Sequence, residues 1–142
     1  MTPPKLAPTT PGDDAYMRGR FSKAKDFLES AEALFVVGSD DGVLAPTSVH
    51  ASSFVDLCVN AGIAAGDAIC IKRTGRYSSG GDHNAAVAIL KDATDRAVAK
   101  NLDMLIRVKS KAAYSARAVD ASDIHNAGEA ARALVDYARD VI

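Results

Sequence analysis

Tryptophan is absent from this 142-residue chain, aromatic residues make up 6% of it, and cysteine occurs twice. The two thiols, Cys58 and Cys70, sit twelve positions apart in one apolar stretch. On a helix that separates them by roughly 18 Å, whereas a disulfide needs Cα atoms within about 7 Å. They cannot bridge, and with no C-x-x-C pair and no secretory h-region the expectation is a reduced, cytoplasmic protein with buried thiols. Charge of one sign is also lacking. The net charge is −1, so no global field draws the chain to nucleic acid or to an anionic membrane. Proline is nearly confined to the start: four of five fall in residues 1–12, MTPPKLAPTTPG, which predicts a disordered Pro-rich tail ahead of one domain over 13–142. Period-two alternation is missing, and so is any repeat of fixed length.

What is abundant is alanine and helical periodicity. The stretch Pro46 to Lys72, PTSVHASSFVDLCVNAGIAAGDAICIK, is apolar or small on nearly every side and predicts a central helix covered by several others. It is long enough to span a bilayer, but Asp56, Asn60 and Asp67 interrupt it and argue against a membrane span. Before it, Phe21, Ala24, Phe27, Leu28, Ala31, Leu34 and Phe35 mark a first helix from Asp13 or Ser22 to Val37, stopped by Gly38-Ser39-Asp40-Asp41-Gly42. After it, Asp82 is placed to cap a short helix over His83 to about Ala93. Thr94 is placed to cap a fourth helix, about Asp95 to Tyr114, and Asp120 or Ser122 opens a last one to the C-terminus. Short connections favour antiparallel neighbours, so the predicted fold is all-α, an up-and-down bundle of four to five helices. Gly62 and Gly66, four apart, admit a close neighbour either inside the bundle or from a second copy.

Two segments free of acid carry the candidate ligand contacts: Lys72, Arg73 and Arg76 in one, Arg107, Lys109, Lys111 and Arg117 in the other. The rest of the chain then sums to −8. If the second and fourth helices end at the same pole, the two clusters meet there and suit phosphate groups; the alternative is solvated cations placed favourably at helix C-termini. His83, at the start of the third helix, lies where free backbone N–H groups can receive an anion, unless Asp82 occupies them. His50, His83 and His125 show no ligand spacing, so no metal site is expected, and no cofactor motif is present: Gly75 to Gly81 lacks the Gly-Lys-Ser/Thr of a phosphate loop. Asp67, inside an apolar helix, needs a partner. Arg73, Arg76, a base of the fourth helix or the Tyr114 hydroxyl would serve; the other reading is a functional acid beside a ligand pocket.

Three stretches, AGIAAGDAICIKRTG, GGDHNAAVAIL and LIRVKSKAAYSARAVDASDIHNAGEAARALVDYARDVI, resemble the HEPN superfamily of small helical bundles over roughly residues 20–142. The resemblance implies a homodimer that binds a nucleotide, RNA or a partner protein, such as a nucleotidyltransferase in a toxin–antitoxin context. Members that cut RNA without metal carry an arginine and a histidine four to six residues apart. Arg76 and His83 match that spacing at its upper limit, in the loop between the second and third helices. The family's catalytic position corresponds to Lys109 to Tyr114, where lysine lacks the planar guanidinium fork and tyrosine is a poor base at neutral pH. The expectation is therefore a non-catalytic HEPN-like module. A metal-independent ribonuclease using Arg76 and His83 is the first alternative, and an interaction bundle without a ligand is the second.

Overall fold

The structure is a computed structural model that describes residues 8–114 and 119–142. It contains five helices, α1 (Asp14–Gly38), α2 (Ala51–Thr74), α3 (His83–Ala93), α4 (Arg96–Tyr114) and α5 (Ala121–Val141), with two three-residue strands, β1 (Thr9–Pro11) and β2 (Arg76–Ser78). The all-α bundle is as the periodicity predicts. Four long helices form it, and α3 is a short link between two of them.

Carboxylates set the starts of the helices other than α2. Asp13 accepts the N–H of Tyr16 at 2.7 Å, Asp82 accepts those of Asn84 and Ala85, and Asp120 and Asp123 form a reciprocal capping box. Thr94 does not cap α4; its hydroxyl donates to Leu90 O at 2.6 Å and closes α3, while Asp95 accepts the N–H of Val98 at 2.8 Å. The central helix begins at Ala51, five residues after the predicted Pro46. Residues 45–50 form turns instead, because Ser48 Oγ takes the N–H of His50 at 3.1 Å and offers the backbone a local alternative to helix. At its other end Gly75, at φ 75°, allows a left-handed cap whose N–H reaches Ile71 O at 2.7 Å.

As predicted, α2 is the centre of the core. Phe54, Val55, Cys58, Val59 and Ile69 are each 2% exposed or less, and α1, α4 and α5 pack around them. Long and apolar enough to cross a membrane by length and composition, α2 is mostly enclosed by the other helices. Asn60, one of the polar residues that interrupt the stretch, stands in solvent with Ser52, Ser53 and Asp56 on the one open side. Gly62 faces Leu105 and Leu134, and Gly66 faces Leu102 and Leu90. Both glycines therefore serve close packing inside the bundle, and this face is not available to a second copy.

Those contacts fix direction. Advancing from Gly62 to Gly66 along α2 moves the neighbour back from Leu105 to Leu102, so α2 and α4 run antiparallel. Gly128 against Phe54 and Arg73 against Tyr137 make α5 parallel to α2, while Asp67 with Arg20 and Phe54 with Phe35 make α1 antiparallel. The predicted shared pole for the ends of α2 and α4 is thus wrong. Eleven residues of α3 extend only about 16 Å and cannot carry the chain back along the roughly 36 Å of α2. One end of the bundle, the exit end, collects the C-termini of α2 and α5 with the N-termini of α1 and α4. The opposite end, the turn end, holds the α1–α2 connection, the C-terminus of α4 and the N-terminus of α5.

A second correction concerns the N-terminal segment. Residues 1–7 lie outside the described residues, but Thr9–Pro11 is not disordered: it pairs antiparallel with Arg76–Ser78, in register Thr9 to Ser78 and Pro11 to Arg76. Gly12 N–H donates to Gly75 O at 3.0 Å and extends the ribbon.

Candidate functional site

At the exit end, the residues singled out from sequence are mostly occupied with one another or with their neighbours. The Arg76 guanidinium donates to Thr9 Oγ1 at 2.7 Å and to Thr9 O at 3.1 Å, fastening β1 to β2. Arg73 donates to the Tyr137 hydroxyl at 3.1 Å and lies over that ring. Lys72 is exposed. His83 does not share a cleft with the Arg76 guanidinium; it lines a crevice of about 30 Å³ with Asp67, Cys70 and Ser78, floored by Gly66 and Leu90. That volume holds a water molecule, not a nucleotide.

Asp67 is paired, but with Arg20 of α1 and with none of the partners predicted: Arg20 Nε and Nη2 both stand 3.1 Å from Asp67 Oδ2. Burial raises the carboxyl pKa above its ordinary value, and the Arg20 charge and hydrogen bond oppose that rise. Arg20 was legible in principle. It falls between Met17 and Ala24 on the buried stripe of α1, so a cation there must meet an acid inside. Beside the pair, the rings of Tyr16 and Tyr77 stack at 4.8 Å, and Tyr77's hydroxyl is held protonated to higher pH, first by its hydrogen bond with Tyr16. Both thiols are pushed up to about 12 by burial, which removes them as nucleophiles.

The second basic cluster lies at the turn end, and two of its described members are ion-paired. Lys111 contacts Asp120 at 3.0 Å and Asp123 at 3.1 Å, and Arg107 contacts Asp103 at 2.9 Å. The hydrogen bond to Asp120 is the main cause that raises the Lys111 pKa. Lys109 is exposed. Arg117 and the side chain of Tyr114 lie outside the described residues.

The turn end also holds what the sequence reading missed. A cleft of about 300 Å³ opens between the end of α1, the α1–α2 connection and the first turns of α5. Its apolar lining includes Phe35, Val43, Leu44, Phe54 and Ile124, and its polar lining is His125, Glu129 and Arg132. In the end of α1 and the segment that follows it, Val36, Val37, Val43 and Val49 are 76%, 72%, 64% and 87% exposed; among the described residues Tyr16, at 43%, is the other large hydrophobic side chain standing in solvent. Val43 is held in position. Asp41 and Gly42, at φ 49° and 78°, make the tight turn, and Asp40 and Val43 exchange both backbone hydrogen bonds, at 2.9 and 3.0 Å. The signal in the sequence was Phe35-Val36-Val37. Three consecutive apolar residues at a helix end cannot all face inward.

Neither metal nor nucleophile chemistry finds a set of groups here: among the described residues no three of His, Cys, Asp and Glu are grouped to hold an ion. Comparison with protein-family models, with curated proteins and with solved structures gives no match for this chain.

Proposed function

We propose that the protein is a non-catalytic HEPN-like module whose work is to bind a partner protein at its turn end. One observation carries the reading: four solvent-exposed valines gathered within residues 36–49, beside an apolar cleft. Four large apolar side chains standing in solvent within fourteen residues, one of them lining the cleft, are more than scattered surface exposure needs, and exposed apolar surface of this kind marks interaction sites. Of the ligands that the resemblance implies, a partner protein is preferred here to RNA or a nucleotide, because the two basic clusters sit at opposite ends and Arg107 and Lys111 are ion-paired. Cleavage by Arg76 and His83 loses support as well. The Arg76 guanidinium is committed to Thr9, and a catalytic cation must be fixed against the phosphate within reach of the base.

A nucleotidyltransferase is the kind of partner the family resemblance implies. A homodimer, also implied by the resemblance, would need a face other than Gly62 and Gly66. The test is co-purification of the native protein with analysis of bound protein and RNA, beside a Val43→Ser/Val49→Ser variant. The reading expects a stoichiometric protein partner that the variant loses, and no cleavage of single-stranded RNA or tRNA in chelator. A partner retained by the variant, or cleavage abolished by His83→Ala, contradicts it.

A further inference from the structure

The turn end has a charge as well as an apolar surface. Glu129 lines the cleft, Asp40 and Asp41 form the turn that presents Val43, and Glu32 stands across from Arg132 at 3.5 Å. Arg132 is shared between Glu32 and Glu129, at 3.5 and 3.4 Å, and Asp40 and Asp41 sit in the turn whose next residues, Gly42 and Val43, line the cleft, so this part of the surface carries four carboxylates to one guanidinium. None of the four is buried. The cleft therefore presents an apolar floor inside an acidic rim.

We propose that this cleft docks a basic amphipathic helix of a partner protein, with two or three apolar side chains of one helix face entering between α1 and α5 and Lys or Arg residues of its flanks meeting Glu32, Asp40, Asp41 and Glu129. This rests on the partner-binding reading above and names the chemistry of the partner. Charge selects the occupant. A second copy of the chain docked through the same face would bring two surfaces together that each carry four carboxylates to one guanidinium, and such an excess of like charge opposes the pairing. An anionic lipid surface is repelled by the same rim. A small molecule could fill the cleft floor, but Val36, Val37 and Val49 lie outside the lining and need a partner broad enough to reach them. An extended strand would require a free sheet edge, and among the described residues the only ribbon, β1 with β2, is at the exit end. A helix needs no edge. Its residues at i, i+3, i+4 and i+7 deliver apolar anchors into a cleft while the remaining positions carry charge.

The preformed turn strengthens the site. Because Val43 is fixed by two reciprocal backbone hydrogen bonds, docking against it loses little conformational freedom.

The experiment titrates the full chain with three peptides of about 18 residues, five helical turns, followed by fluorescence anisotropy. The first carries a Leu stripe at helical spacing with Lys and Arg elsewhere. The second keeps the stripe and replaces each cation with Glu, and the third keeps the first one's composition with the stripe scrambled. The expected result is micromolar binding of the first, at least tenfold weaker binding of the other two, and a further loss for the first at raised salt. Val43→Ser/Val49→Ser should weaken the first peptide at least tenfold. Asp40→Lys/Glu129→Lys should reverse the preference between the first and second. All these positions are solvent-exposed, and melts of each variant check that the fold is kept. Equal or tighter binding of the acidic peptide, equal binding of the scrambled one, or indifference to the valine variant overturns the proposal. If no peptide binds while the native partner is still lost from the valine variant, the basic-helix inference falls and the partner-binding function stands; if the native partner is retained, that function falls.

Discussion

The two ends of this bundle use their charged residues differently. At the exit end the charges close on the protein itself. Arg20 neutralises Asp67 across 47 positions of sequence, Arg76 ties the N-terminal strand, and Arg73 caps the surface of Tyr137. At the turn end Lys111 joins the end of α4 to Asp120 and Asp123 at the start of α5 in the same way, yet four valines and an acidic surface at that end are left facing water. The lesson is that a dense run of positive charge in sequence, KRTGR, marks a place where the fold is fastened, while the surface open to another molecule lies where the sequence shows little more than Gly, Asp and Val.

The largest effect that would break this contrast is at the cleft floor. Phe54 is 1% exposed and packs against Phe35 with ring centroids 5.5 Å apart, so Phe54→Ala should cost about 3–5 kcal/mol of stability. Urea unfolding measures it. A cost below about 1 kcal/mol would mean that the cleft is not backed by a packed core. Next, Arg20→Met strands the Asp67 carboxylate. Both side chains keep some solvent contact, at 22% and 18%, so the expected cost is about 2 kcal/mol, under the range for a fully buried pair.

The same pair gives a pH signature. Because burial raises the folded-state pKa of Asp67 above its unfolded value, its contribution to stability is complete below the unfolded value and is lost as pH rises through the folded one. The stability of the protein relative to Asp67→Asn should therefore decline across that acidic window. A relative gain with rising pH would show that the Arg20 charge outweighs burial.

Gly62→Ala sharpens the account of the interior. The new methyl would meet Leu105, whose side chain must shift, at an expected cost of about 1–3 kcal/mol without any change in oligomeric state. Loss of a dimer on this substitution would return the glycine face to the surface. Asp120→Ala removes one half of the capping box and a partner of Lys111, and should cost about 1 kcal/mol. A smaller change would mean that Asp123 alone holds the start of α5.

Helical periodicity made the five helices legible, and the apolar run from Phe54 to Ile71 identified the one at the centre. Direction was not legible. Counting α3 as a full pass put the ends of α2 and α4 together, and only the pairing of Gly62 with Leu105 and Gly66 with Leu102 separates them. The strand pairing of Thr9–Pro11 with Arg76–Ser78 joins segments 67 positions apart, through backbone groups and one guanidinium that no periodic pattern announces. Asp67 was rightly singled out as needing a partner, because a carboxylate in an apolar helix is costly unpaired. Its partner escaped because the candidates were sought at the end of α2 and on α4, whereas Arg20 lies on α1, where Met17 and Ala24 place it on the inward stripe.

The most direct measurement sets the two ends against each other in one experiment: Arg20→Met and Val43→Ser/Val49→Ser, each read for melting temperature and for retention of the co-purified partner. The account predicts that Arg20→Met lowers Tm by several degrees, at about 3–4 °C per kcal/mol, and keeps the partner. The valine variant should stay within about 0.5 kcal/mol of the parent and lose the partner. The opposite pattern, a valine variant that melts early and keeps its partner or an Arg20→Met that stays stable and loses it, would contradict the division of the molecule into a fastened end and a binding end.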